Sequence, residues 1–323
     1  MRAISTREDI EYYRAVSRDG LRLLSRADGL AESGIHIRQM DDVDLERIME
    51  LRSVVRWSAD PNAFGILRGM RDARWAVAET PDGSLAGMVG AVPLGGIGIL
   101  CHLAVRDEYR KKGLGHTLSS WAVLYLRSRG ARTIRLYSTR QAEGLYRSLG
   151  FRPGAARTVY RLDEATFSGA RVEAEGHRVG TLAFADLPEL YGVDLWSYGA
   201  DRSAIIFATL RLHPGGGLVA RDSTGRIRGY LLRGSTGRTA RIGPFVASTP
   251  DVARLLLSVA LGASGGSPVE VTVPGVAESP AHGLLREFGF RGRRDRLQME
   301  LGTRGAARQA GLEHFGTTPY LAT

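Results

Sequence analysis

IGILCHLAVRDEYRKKGLG, residues Ile97 to Gly115, joins an apolar run to a basic, glycine-spaced turn. Ile97 to Val105 reads as a buried strand, and Arg110-Lys111-Lys112-Gly113-Leu114-Gly115 opens directly into a helical pattern. The first N–H groups of a helix have no intrahelical partner, and the macrodipole adds roughly half a positive charge there, so the turn is an anion site suited to a phosphate. Gly113 and Gly115 let the backbone approach the anion with no Cβ in the way. Lys111 and Lys112 are the only lysines of the chain, and both fall in this turn, as point charges for phosphate or as exposed residues.

An amphipathic helix from about Leu114 to Arg129 follows, then a strand from about Ala131 to Tyr137, then a short helix ending Gly144-Leu145-Tyr146-Arg147-Ser148-Leu149-Gly150-Phe151. Arg-x-x-Gly-x-Gly after a strand, then helix, strand and Tyr-x-x-x-Gly-Phe, resembles the GNAT superfamily of N-acetyltransferases over residues 35 to 162. The resemblance implies an α/β (α+β) fold. Its sheet is mixed and largely antiparallel, with a splayed central strand pair flanked by helices. It also implies acyl transfer from acetyl-coenzyme A to an amine, with the coenzyme as acyl-donor substrate.

Carried onto this chain, the resemblance puts the pyrophosphate on Arg110, Lys111, Lys112, Gly113, Leu114 and Gly115, and the pantetheine along Leu103, Ala104 and Val105. The Leu103 N–H would hold the thioester carbonyl oxygen. Thr139 stands where many relatives carry an asparagine, and its hydroxyl can still bond pantetheine. Tyr146 occupies the general-acid position, with a core tyrosine as the plain alternative. Trp57, Asp60 and Phe64 lie in the region that covers the substrate groove, where the aromatics also suit a core.

The base stays open. An alkylamine has a pKa near 10, so attack needs a base, a water path or an amine delivered neutral. His102 neighbours the carbonyl-binding residue, although strand alternation points its ring away from the groove, and Glu143 is a further candidate. Ile97, Ile99 and Leu100 are apolar where many relatives place a carboxylate.

The remainder of the first unit is consistent. Ile35 to Gln39 alternates like a first strand, Asp41 or Asp42 suits the start of a helix to about Arg56, and Trp75–Glu79 and Leu85–Val92 form a hairpin around Pro81-Asp82-Gly83-Ser84. Thr158 to Leu162 reads as the closing strand of the unit.

After a polar, alanine-rich linker the grammar repeats. A hairpin, Leu218–Ala220 and Ile227–Leu232, leads to a central strand Ile242–Val246, a helix from about Pro250 to Leu261, a strand Val269–Val273, and Gly283-Leu-Leu-Arg-Glu-Phe-Gly-Phe290, the mirror of Gly144 to Phe151. Ser248 to Ala253 replaces the glycine turn and Leu285 replaces Tyr146, so the second copy is a degenerate, non-catalytic GNAT-like domain of the tandem type. Asp201 and Arg202 would either reach over the first groove to bind substrate or form a local cap and ion pair. The expected organisation is an N-terminal helical extension over residues 1–34, a catalytic domain over 35–163, a linker over 164–176, a degenerate domain over 177–301, and a tail over 302–323, mobile or strapped across the partner domain.

At 323 residues the chain has room for two cores. One cysteine, Cys101, excludes an intramolecular disulfide and a cysteine metal cluster, and the histidines show no metal-ligand spacing. The net charge of +10 is nearly all arginine spread along the chain, with no base-reading motif, so no nucleic-acid partner is expected. No apolar run suits a membrane span and no secretory leader is visible, so the expectation is a cytoplasmic protein without a membrane partner. The N-terminal extension serves packing or an oligomer contact, the latter giving a homodimer. The reading that results is an N-acetyltransferase acting on a small-molecule amine in a ternary complex, and the alternative is a non-catalytic acyl-coenzyme A sensor or scaffold.

Overall fold

The computed structural model describes residues 34–57, 61–163, 176–274, 279–302 and 313–316. Asp60 and nearly all of the N-terminal extension and the linker lie outside the described residues.

The first repeat runs β1 (His36–Gln39), α1 (Leu45–Val54), α2 (Pro61–Arg68), β2 (Arg74–Glu79), β3 (Leu85–Leu94), β4 (Ile97–Val105), α3 (Leu114–Ser128), β5 (Thr133–Ser138), α4 (Glu143–Ser148) and β6 (Arg152–Leu162). The second runs β7 (Arg178–Thr181), α5 (Leu187–Tyr198), α6 (Ser203–Leu212), β8 (Gly217–Arg221), β9 (Ile227–Thr236), β10 (Thr239–Ala247), α7 (Pro250–Gly262), β11 (Val269–Val273), α8 (Pro280–Glu287) and β12 (Arg291–Gly302). A last short strand, β13 (Glu313–Gly316), comes from the segment read as a tail.

The described strands form one continuous sheet in the order β1-β2-β3-β4-β5-β12-β6-β11-β10-β9-β8-β7, with β13 on β10. The two repeats have exchanged their last strands. β12 lies antiparallel to β5, with Met299 opposite Leu136, while β6 pairs with β11. The strand read as closing the first unit therefore completes the second, and the boundary at Asp163 divides the chain but not the sheet.

Burial follows the exchange. In α3, Leu114, Leu118, Trp121, Ala122 and Leu126 repeat at helical spacing and pack on one face of the first half-sheet, in a core that includes Met299 of β12. Tyr160 and Leu162 of β6 are buried with Leu256 and Leu257 of α7 instead. On the opposite face of the first half-sheet, Ala200 and Ile205 from the second repeat pack into the core built by Phe64, Trp75 and Met88. Each half thus supplies apolar area that the other needs.

Candidate active site

β4 and β5 are parallel and paired only at Ile97–Thr133, Gly98–Ile134 and Ile99–Arg135. Beyond Ile99 they part. A few residues on, β4 carries a bulge against β3: Met88 faces Ala104 and Gly90 faces Cys101, so Val89 opposes both His102 and Leu103. His102 absorbs the extra residue at φ 55°, a left-handed conformation that a non-glycine residue rarely adopts. Gly90 makes room for the Trp75 indole beside it, since a Cβ there would sit 2.6 Å from Trp75 Nε1.

The opening is a cleft of about 660 Å³. One wall is β4 from Leu100 to Val105, and the other includes Tyr137, Ser138, Thr139 and Gln141. Arg110, Lys111, Gly113, Gly115 and His116 border it where α3 begins, and Leu145, Tyr146 and Ser148 contribute from α4 and its flank. Gly113 is the cap residue of α3 at φ 85°, and no side chain caps that end. The free N–H groups and the basic turn therefore address the cleft, which suits a diphosphate. Arg110 is already held by its Nε–H bond to the Val105 carbonyl at 3.2 Å and an ion pair with Asp107 at 2.7 Å.

Tyr146 is buried at the cleft, edge-on to Phe151. Burial pushes its phenol well above the usual tyrosine range, and the positive charge of Arg296 opposes that shift without cancelling it. The hydroxyl thus stays protonated and able to donate at neutral pH.

His102 is placed differently from a free base. Its ring is buried beside Phe64, Trp75 and Trp57, with ring centres 5.6, 6.5 and 6.4 Å away. Arg52 lies 3.3 Å from Nδ1, and because arginine only donates, Nδ1 must accept and the proton sits on Nε2. A proton arriving on Nδ1 would displace that bond and face the guanidinium charge, so the geometry suits packing better than proton abstraction. Glu143 is engaged at the surface by Arg147 at 2.6 Å. Among the described residues no aspartate or glutamate lines the cleft.

Trp57 lines the cleft, whereas Phe64 is 1% exposed and belongs to the core beneath it. Leu114 points into the α3 core, and Lys112 is exposed with Nζ 5.8 Å from the Tyr109 ring centre, so neither side chain lines the cleft. Asp201 accepts the Ser203 N–H at 2.8 Å, as a cap for α6. Arg202 is wholly buried, bonded through Nε to Asp194 at 3.1 Å and stacked 3.9 Å from the Tyr198 ring centre. Both side chains are thus engaged within the second repeat, Arg202 with Asp194, since burial of a guanidinium demands a carboxylate beside it. The Cys101 thiol is buried and its pKa pushed up to about 12 by desolvation, which makes it inert at neutral pH.

Sequence reading missed His116, Gln141, Ser148 and, above all, Arg296, which reaches the cleft from β12. Only the strand exchange brings it there. No group of three or more histidine, cysteine, aspartate or glutamate side chains among the described residues is arranged to hold a metal ion, and no described helix is long and apolar enough to cross a membrane.

Two family models, each described as an acetyltransferase (GNAT) domain, match residues 71–153 and 191–311. The chain is 25% identical over 226 residues to the uncharacterised N-acetyltransferase YitH of Bacillus subtilis, covering 68% of this chain and 76% of that one. It is 30% identical over 133 residues to a second B. subtilis protein, provisionally named a [ribosomal protein bS18]-alanine N-acetyltransferase, covering 39% of this chain and 87% of that one. The crystal structure of a provisionally named acetyltransferase from Pyrococcus horikoshii has the same fold, with a TM-score of 0.71 at 21% identity over 90% of this chain and 96% of that one. GNAT acetyltransferases use acetyl-coenzyme A, and the uncapped helix end, glycine turn and carboxylate-free cleft fit such a donor. With a GNAT domain in each repeat, an open strand splay in the first and relatives named as N-acetyltransferases, the chain belongs to the GNAT superfamily as a tandem-domain acyltransferase.

Proposed function

We propose that the protein transfers an acetyl group from acetyl-coenzyme A to the amine of a small molecule by direct attack. What supports this reading is the open splay of β4 from β5, with a basic glycine turn where α3 begins and a protonated tyrosine buried beside the gap. The donor supplies an activated acyl group. The chain binds it through the α3 turn and along the β4 edge. An N–H of β4, near Leu103, stabilises the oxygen that gains charge as the amine nitrogen bonds to the carbonyl carbon. The C–S bond then breaks, and Tyr146 gives its proton to the leaving sulfur. With His102 engaged by Arg52 and no carboxylate in the wall, the amine enters as the free base and its proton passes to water. Ala200 and Ile205 of the second repeat share the core with Phe64 and Leu67 of α2, so the second repeat backs the element beside the acceptor side, an arrangement that suits small amines.

The test is calorimetric titration of acetyl-coenzyme A followed by thiol release against an amine panel. One site per chain with thiol release is expected, and binding without release would favour the sensor reading. Tyr146→Phe should lower kcat about a hundredfold while leaving donor affinity unchanged. The raised phenol sets the pH sign: in the wild type, rate climbs as the amine loses its proton near pH 10, with no fall below that from Tyr146. Full activity in the phenylalanine variant would remove tyrosine as the acid.

A further inference from the structure

Arg296 lines the cleft from β12, outside the turn at the start of α3. Leu297 is opposite Ser138, the last residue of β5, so Arg296 lies level with Thr139, where β5 has ended and no longer screens β12 from the cleft. The register of β12 against β6 shifts between Arg294 and Leu297, a bulge of the kind that re-aims side chains, and Arg296 lines the cleft. Its charge is felt at the Tyr146 hydroxyl, the group that faces the reacting sulfur in the mechanism above.

The neighbouring charges leave Arg296 over. Asp295 is taken by Arg157, whose Nε and Nη2 bond its two carboxylate oxygens at 2.6 and 2.8 Å, and whose guanidinium lies 5.0 Å from the Tyr137 ring centre. Among the described residues Arg296 itself makes no hydrogen bond or ion pair. Burial and the nearby Arg157 disfavour its charge, and Asp295 offsets part of that from a distance without bonding to it. A half-buried guanidinium with an empty fork favours an anion that can accept two parallel bonds. The wall offers nothing acidic to a polycationic acceptor.

We infer that Arg296 binds the carboxylate of the acceptor, and that the acceptors are amines bearing a carboxylate, the class of amino acids. This rests on the acyl-transfer reading above. The second repeat would then set the specificity of the first through a strand it lends.

The experiment uses the full chain, acetyl-coenzyme A and matched acceptors, each common amino acid against its own carboxamide, read by thiol release. At least one amino acid should exceed its carboxamide by roughly 10- to 100-fold in kcat/KM, the range expected for a charged hydrogen-bonded pair. Arg296→Gln should collapse that ratio to near unity, mainly through KM, and Arg296→Lys should restore part of it. Donor affinity by calorimetry should not move in either variant. Carboxamides accepted equally well, a ratio that survives in Arg296→Gln, or a loss of donor affinity instead would each overturn the assignment. A wild-type protein that binds donor but turns over neither member of any pair rejects the amino-acid class. One that binds no donor at all refutes the acyl-transfer reading itself.

Discussion

Two pairs of parallel strands part in this molecule, and they part alike. β4 and β5 stay together for three residue pairs, Ile97–Thr133 to Ile99–Arg135, and β10 and β11 for three, Ala240–Val269 to Ile242–Val271. The first gap stays open as the cleft. The second is filled by β13, which pairs with β10 at Phe245, Val246 and Ala247 and brings Gly316 so close that a Cβ there would lie 3.0 Å from Val271. The helix ends differ in the same sense. α3 begins at Gly113 with no side-chain cap, whereas Thr249 accepts the Val252 N–H at 3.2 Å at the start of α7, and Asp251 beside it pairs with Arg254 at 2.6 Å. A splayed strand pair is therefore a binding site only while its edge and its helix end lack partners. Satisfied from within, the same geometry becomes a structural joint.

The comparison breaks most readily at Gly113. Gly113→Glu places bulk, a left-handed backbone penalty and a negative charge in the donor's cradle, and calorimetry should show affinity reduced beyond about a hundredfold. Unchanged affinity would mean that the open gap is not the donor site.

Next comes the strand that binds the halves together. Met299 of β12 is fully buried in the core of the first repeat, so Met299→Ala should cost about 2–5 kcal/mol by denaturant titration. Donor affinity should weaken along with stability, although Met299 belongs in sequence to the second repeat. A variant that loosened only the second half would contradict the exchange.

A smaller effect is expected at the plug. Gly316→Val drives two methyl groups toward Val271 and Phe245 and should unseat β13 at about 1–3 kcal/mol. The donor stoichiometry should remain one per chain, because the α7 end is capped whether or not the gap is filled. A second donor site would show that β13 alone separates the two copies.

Much of the fold was legible from local pattern. The helix from Leu114, the strand after it, both hairpins and the repeat of Gly144–Phe151 at Gly283–Phe290 follow from periodicity and turn residues, which act within a few residues of one another. The beginning of β6 escaped, since Arg152-Pro153-Gly154 looks like a loop, and proline and glycine in a strand mark irregular pairing. The tail concealed β13 for a related reason: a four-residue strand has too few positions to show a period.

The site divides in the same way. Gly113, Tyr146 and Thr139 announced themselves through spacing along one stretch of chain. His102 did not, because its side-chain direction depends on a bulge at φ 55° that breaks strand alternation. Asp201 and Arg202 were ambiguous until Asp194 was seen beside the arginine.

By itself the sequence determined the family and the repeat, and it singled out the glycine turn and Tyr146 as site candidates, since each is written in residues close along the chain. Tertiary structure alone decided which strand completes which half, that β13 closes the second gap, and that Arg296 stands in the first cleft. Strand partnership is chosen by backbone hydrogen bonds and shared core area between segments more than a hundred residues apart, as Arg157 and Asp295 are, and local propensity carries no record of that choice.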